Sequence, residues 1–152
     1  MTLLHHLFSV TTQPAPASAA LLILRVVVGA ALVLYGWQKV QTPFTWMGPE
    51  SKVSAFFQFL ATLSEFGGGL AWIVGLLSRL AALGIASTMA VAVYTVMNIM
   101  KAPFVDLAGS ISYTLPLTFF AAALVVLTLG PGRYSLDALL FGQKGARDSD
   151  RD

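Results

Sequence analysis

The chain reads as an all-α integral membrane protein, an antiparallel four-helix bundle, and three observations predict it. Of its 152 residues 57% are hydrophobic and 11% are charged, where soluble domains carry roughly 25% charged residues. Mean hydropathy is +0.77, too apolar for the surface of a soluble domain of this length. Apolar stretches near the ~20 residues that cross a hydrocarbon core recur along the chain, separated by helix breakers and charges. One domain is the natural count for this length.

Residues 1–16 form an N-terminal interfacial segment. Leu3, Leu4, Leu7 and Phe8 recur at helical spacing, which suits a short helix lying on the membrane surface. Ala17-Ser18-Ala19 has the look of a cleavage site. No Lys or Arg precedes it, however, and His5 and His6 interrupt the apolar run, so no cleavage is expected. Pro14 and Pro16 then separate this segment from the four-helix transmembrane domain, residues 17–141.

The first span is expected from Ser18 to Val40. A loop with Pro43, Phe44, Trp46, Gly48 and Pro49 follows, its aromatics suited to the headgroup interface. The second span runs from Val53 to Leu77 and the third from Arg79 to Met100, so Ser78 and Arg79 should make a tight antiparallel hairpin. Asp106 and Gly109 mark the third connection, and the fourth span runs from Ser110 to Leu129. Gly130-Pro131-Gly132 must end that helix. Arg133 is placed at headgroup depth, four residues before Asp137 and close enough to pair with it if a new turn begins. Residues 142–152, polar and charged, are expected to be a disordered cytoplasmic tail.

Cations set the orientation. Arg79, Arg133, Lys144, Arg147 and Arg151 fall on one side of this layout, against Lys39, Lys52 and Lys101 on the other. The richer side is cytoplasmic by the positive-inside bias, which puts both termini in the cytoplasm and the protein in the cytoplasmic (inner) membrane. The nine Lys and Arg are scattered, with no basic stripe, so the net charge of +2 is no sign of nucleic-acid binding.

Composition also removes several chemistries. With no cysteine there is no disulfide relay, thiolate nucleophile or cysteine-ligated iron–sulfur cluster within this chain. The histidines lie outside every span, so haem cannot be held between helices by a pair of them. Adjacent His5 and His6 do not close a zinc site, and no metal site is expected.

Ionisable groups inside spans carry the functional question, because a mid-membrane charge costs about 2.5–3.5 kcal/mol on insertion scales. Arg25, Gly29, Leu32, Gly36 and Lys39 share one line of the first helix at 100° per residue; Gln58, Thr62, Glu65, Gly69 and Trp72 share one on the second. Ser87, Tyr94, Asn98 and Lys101 share a face of the third helix, and Thr114, Thr118 and Thr128 lie on the fourth. Four polar seams argue for a polar interior that could take a hydrophilic ligand, a quinone head or a proton. Arg25 lies roughly 9 Å from the cytoplasmic end of its helix and Glu65 roughly 18 Å. Three arrangements of Arg25 stay open: an ion pair with Glu65, snorkelling to cytoplasmic headgroups, or another partner. Glu65 leans towards Tyr35, where Gly36 opens space. Small residues at four-residue spacing (Ala82, Ala86, Ala90; Gly84, Thr88, Ala92) mark close helix contacts, either within the bundle or between copies.

An ordered set of short motifs runs from Leu22 to Leu140: Arg25; Gly36-Trp37-Gln38-Lys39; Glu65 before Gly68-Gly69; Gly75-Leu76-Leu77-Ser78-Arg79; and Gly130 to Asp137, reading GPGRYSLD. In this set the chain resembles the DoxX family of small membrane proteins. The resemblance implies a four-helix bundle in the cytoplasmic membrane and an association with redox or quinone chemistry. That family often carries a histidine before the Gly-x-x-K segment, where this chain has Tyr35. It often opens its fourth helix with an acidic residue, and Ser110 to Thr114 contain none.

The candidate polar interior or ligand site therefore comprises Arg25, Tyr35, Lys39, Glu65, Tyr94 and Asn98, with Arg79, Arg133 and Asp137 forming an interface motif. The expected role is an accessory, non-catalytic subunit of a membrane redox or quinone-linked assembly, in contact with lipid and other membrane proteins. A non-redox scaffold and a small proton-linked transporter are the alternatives.

Overall fold

The computed structural model describes residues 13–141 and is all-helical, with no strand among the described residues. The interfacial helix around Leu3–Phe8, the histidine pair and the tail from residue 142 lie outside them.

Helix α1, Ala15–Gln41, begins at a proline pair that needs no intrahelical amide partner and ends with Lys39 in its last turn. Helix α2 is one continuous run made of Ala55–Thr62, a π-helical stretch Leu63–Gly67 and Gly68–Val74. It stops at Gly75, whose φ of +74° suits a residue without Cβ, and the Gly75 and Leu76 amides both close on the Ala71 carbonyl. Helix α3, Ser78–Tyr94, continues into a second π-helical stretch, Thr95–Ile99. Helix α4, Thr114–Leu129, carries Pro116 in its first turn, where the missing amide costs nothing, and stops at Gly130. A short helix α5, Leu136–Phe141, follows.

Helix α1 starts at Ala15, so Pro16 lies within its first turn instead of separating it from the preceding segment, and α2 starts at Ala55 instead of Val53. Two further boundaries differ from the sequence expectation. The α2–α3 turn is Gly75-Leu76-Leu77, and Ser78 and Arg79 already belong to α3. Leu77 takes a left-handed conformation there (φ 49°), which only a compensated non-glycine residue sustains. The fourth helix starts at Thr114 instead of Ser110, because Asp106 folds the preceding residues into a local turn. Its carboxylate accepts from the Ala108 and Ser110 amides at 2.8 and 3.1 Å, and these bonds hold its pKa below the usual carboxylate value.

Helix α1 packs along the whole of α2 and α3 along α4, two interfaces of similar extent, while α1 and α4 meet sparsely. The core is Leu32, Trp72, Ala82, Ile85, Ala123 and Val126, all fully covered. Trp72 donates its indole N–H to the Ser78 carbonyl at 3.1 Å, so the largest core side chain leaves no polar atom unmatched. Backbones touch where α1 crosses α2: a Cβ added to Gly29 would lie 2.8 Å from the Gly69 carbonyl oxygen, and one on Gly69 would lie 2.8 Å from that of Gly29. Ala82 and Ala86 face the core, and Gly84 lies against Ser64 of α2, so these small residues serve contacts inside the chain.

The polar seams expected on all four helices are found on two. On α1 the line through Arg25, Gly29, Leu32 and Gly36 is buried, as is that through Gln58, Thr62, Glu65, Gly69 and Trp72 on α2. Ser87 on α3 and Thr118 and Thr128 on α4 face outwards instead. Each donates its hydroxyl to the carbonyl four residues earlier, at 2.8–2.9 Å. A hydroxyl satisfied on its own helix has little need of an interior partner.

Among the described residues, Ala15–Gln41 and Ser78–Ile99 are long and apolar enough to cross a membrane, and Thr114–Leu129 is a shorter apolar helix.

Candidate functional site

Two polar centres emerge, at opposite ends of α1. The first is an ion pair. Lys39, in the last turn of α1, donates from Nζ to both Glu65 carboxylate oxygens at 2.6 Å. Glu65 is almost covered and Lys39 about a quarter exposed (6% and 23% of the side chain), so the pair sits at the wall of a recess rather than on open surface. Two backbone features bring it together. Gly36 lets α2 approach α1 closely, since a Cβ there would lie 2.8 Å from the Phe66 amide nitrogen. The π stretch Leu63–Gly67 widens α2 at Glu65 itself, and π-helical turns of this kind are frequent at functional sites.

Trp46 covers the ammonium, with its ring centre 4.4 Å from Lys39 Nζ, a cation–π distance. Its indole N–H donates to the Gln58 carbonyl at 3.1 Å, and the Gln58 side chain accepts from the Met47 amide and donates to the Val53 carbonyl. Phe44 stacks on Phe59 with ring centres 5.1 Å apart. The α1–α2 loop is therefore fastened over the start of α2 as a cap.

Beneath the cap lies a cleft of about 510 Å³, within the ~300–1,000 Å³ usual for small-molecule sites. Lys39, Glu65, Gln38 and Thr42 supply its polar groups, while Leu32, Met89, Phe119 and Leu115 supply apolar wall. Tyr35 stands at its rim, its ring meeting Phe119 edge-on at 6.2 Å. A few polar groups set in an apolar recess can orient a flat, mostly apolar ligand by its hydrogen-bonding atoms.

The second centre binds the segment after α4 to the rest of the protein. Arg25 is fully buried and donates from Nη1 to the Pro131 carbonyl at 2.6 Å and from Nη2 to the Tyr134 carbonyl at 2.8 Å. Asp137 accepts from the Leu77 and Ser78 amides at 2.7 and 2.9 Å, and its own amide donates to the Gly75 carbonyl. It thus caps α3 from a distant part of the chain and compensates the strained Leu77. The buried Arg79 guanidinium packs against Gly130, where a Cβ would lie 3.1 Å from Nη2. Ser135 completes the clasp, capping α5 through its hydroxyl.

Of the residues expected in the interior, the structure brings Tyr35, Lys39 and Glu65 together. Arg25 belongs to the clasp, so its partner is neither Glu65 nor a headgroup but backbone carbonyl. Tyr94 is 61% exposed on α3, and neither it nor Asn98 lines the cleft. The expected pairing of Arg133 with Asp137 does not form. Arg133 points outwards, its amide donating to Ser18, because the Asp137 carboxylate is taken by the two α3 amides. Sequence reasoning missed Trp46 and Gln58 as site residues. Gln58 on the Glu65 face of α2 was the available signal.

A helical chain with two apolar helices of membrane-spanning length, apolar outer faces and the charged Arg25 and Glu65 of its helices buried is a membrane protein in class. A model of the DoxX family matches residues 20–98, the stretch holding Arg25, Lys39, Glu65 and Arg79. The inner membrane protein YqjF of Escherichia coli (strain K12) is 30% identical over 125 residues, covering 78% of this chain and 90% of YqjF. The chain belongs to the DoxX family. No solved structure matches it.

Proposed function

We propose that this protein spans the cytoplasmic membrane as an antiparallel four-helix bundle with both termini in the cytoplasm. There it serves as a non-catalytic accessory subunit of a quinone-linked redox assembly, its cleft taking the quinone head. The observation that carries this reading is the Lys39–Glu65 pair set in an apolar recess beside Tyr35 and Trp46. YqjF, named as an inner membrane protein, supports the location.

The donor set fits such a head. Lys39 and the Tyr35 hydroxyl are donors for carbonyl oxygens, Trp46 offers a ring face, and Leu32, Met89 and Phe119 exclude water. A bound quinone supplies two-electron acceptor chemistry. The chain's part is to bind and orient: Glu65 holds the Lys39 ammonium in place, and the Trp46 ring of the cap covers one side of it.

The reading is tested by mild detergent extraction followed by native mass spectrometry and quinone extraction. A co-isolating oxidoreductase or a stoichiometric quinone is expected, and Glu65→Gln should impair coupled activity of the assembly while leaving membrane insertion unchanged. A lone, quinone-free protein for which Glu65→Gln is silent in cells would instead mark a scaffold.

A further inference from the structure

Beside the cleft runs a second cavity of about 550 Å³, lined by Ala31, Leu34, Tyr35 and Gln38. Tyr35 and Gln38 line both cavities, so the two are neighbours that share these side chains as a wall. Their chemistry differs. The first holds the ion pair; the second lies on the outward face of α1, where Leu34 is 74% exposed.

The walls around the cleft differ too. Towards the loop end, the cap is fastened by the Trp46, Met47 and Gln58 hydrogen bonds and the Phe44–Phe59 stack. Towards the side, α1 and α4 meet sparsely, and at the level of the cleft an edge-on ring contact between Tyr35 and Phe119 spans them. A ring contact of this kind is worth at most about a tenfold factor in an equilibrium and can turn aside by side-chain rotation. In the proposed membrane placement the firm wall is the one facing water, and the soft one faces hydrocarbon.

We infer that the cleft is loaded sideways from the bilayer by a single-tailed amphiphile, which parts Tyr35 from Phe119. Its hydrogen-bond-accepting head stops at Lys39, and its apolar tail lies along the Ala31–Leu34 groove of α1. This rests on the quinone reading of the cleft and adds a route and a tail site to it. The groove continues the cleft, and a tail there stays in the hydrocarbon while the head alone leaves it, so no apolar surface enters water during loading.

The test uses the full chain in phosphatidylethanolamine nanodiscs and three probes: a benzoquinone with a decyl tail ending in a diazirine, the same head without a tail, and the diazirine-tailed decanol without the quinone head. Crosslinks are mapped by mass spectrometry, and head binding is followed by quenching of Trp46, with Trp46→Phe as the blank. The tailed quinone should label Leu34 and Tyr35 saturably, while the headless tail labels them at least about tenfold less. Ala31→Phe, which fills the groove, should cut the labelling about tenfold, the scale of losing a few apolar contacts in a pocket, and leave quenching by the tail-less head unchanged. Leu34→Ala, at an exposed position that cannot overpack, should weaken labelling of Tyr35 in the same direction. Labelling of the α1–α2 loop or α3, equal labelling by the headless tail, or indifference to both variants would overturn sideways loading while quenching by the head keeps the quinone site. Absence of saturable quenching by either quinone would overturn both.

Discussion

Asp137 and Ser78 stand 59 residues apart in the chain and meet as carboxylate and backbone amide at 2.9 Å. With Leu77 bonded to the other oxygen, one side chain beyond α4 supplies the cap that the α2–α3 turn lacks. Ser78 has no side-chain cap before it, because Leu77 occupies that position. The charge at the N-terminus of α3 also opposes the helix dipole favourably.

Asp137→Ala should therefore lower stability by about 1–3 kcal/mol, the cost of leaving buried amides without acceptors. Asp137→Asn should lose less, since the amide oxygen keeps one acceptor. Thermal unfolding in detergent micelles measures both, and equal loss for the two variants would show that the carboxylate acts by charge alone.

Arg25→Lys should be as damaging as a non-conservative change, because an ammonium cannot reach the Pro131 and Tyr134 carbonyls in the fork that a guanidinium spans. A loss of about 1–3 kcal/mol is expected, together with faster proteolysis after residue 130. Unchanged protease sensitivity would mean the clasp does not hold that segment.

Gly29→Ala and Gly69→Ala should each destabilise by about 1–3 kcal/mol through overpacking, since the added methyl of either meets the other's carbonyl oxygen. Both act on one contact, so the double variant should lose less than the sum. Gly67→Ala is the control: its methyl would meet only the flexible end of Leu63. Unfolding curves for the four proteins decide it, and strict additivity would argue against a shared contact.

Lys39 and Glu65 should show strong coupling in a double-mutant cycle. Removing one partner leaves the other charge part-buried and alone, so Lys39→Met or Glu65→Leu singly should cost more than the two together, with a coupling of about 0.5–3 kcal/mol. A coupling near zero would identify the pair as a surface contact of no energetic weight.

The proposed topology can be read chemically, because the native chain has no cysteine to interfere. Arg133→Cys should react with impermeant maleimide from the cytoplasmic side, and Leu107→Cys, at a position 97% exposed, from the opposite side. The reverse pattern would invert the orientation.

How far the site was legible depended on what each helix had to hide. On α1 and α2 the buried face followed from side chains that cannot satisfy themselves: Arg25, Gln58 and Glu65 need partners from elsewhere, so their angular position told where the interior lay. On α3 and α4 the same inference failed, because Ser87, Thr118 and Thr128 bond their own backbones and a hydroxyl's position carries little information about facing. The partner of Glu65 was out of reach for a different reason. A π stretch leaves no mark in the residue pattern, yet it changes the turn on which Glu65 sits. For Arg25 three arrangements stay open in the sequence, and the structure takes the third, another partner: the Gly-Pro-Gly segment after α4 turns two backbone carbonyls towards it, and backbone acceptors leave no residue pattern to read.

The clasp also sets an order of events during synthesis. The Arg25 contacts close loops of 106 and 109 residues, and the α3 cap waits for Asp137. A ribosome that has delivered α1, α2 and α3 has made helices whose buried arginine and first amides still lack their acceptors. Those groups must find other partners until the last stretch arrives, so a nascent chain halted before Pro131 keeps buried polar groups without their native acceptors. Completion is signalled by the stretch from Pro131 to Asp137, and translation must pass Asp137 before the clasp can close.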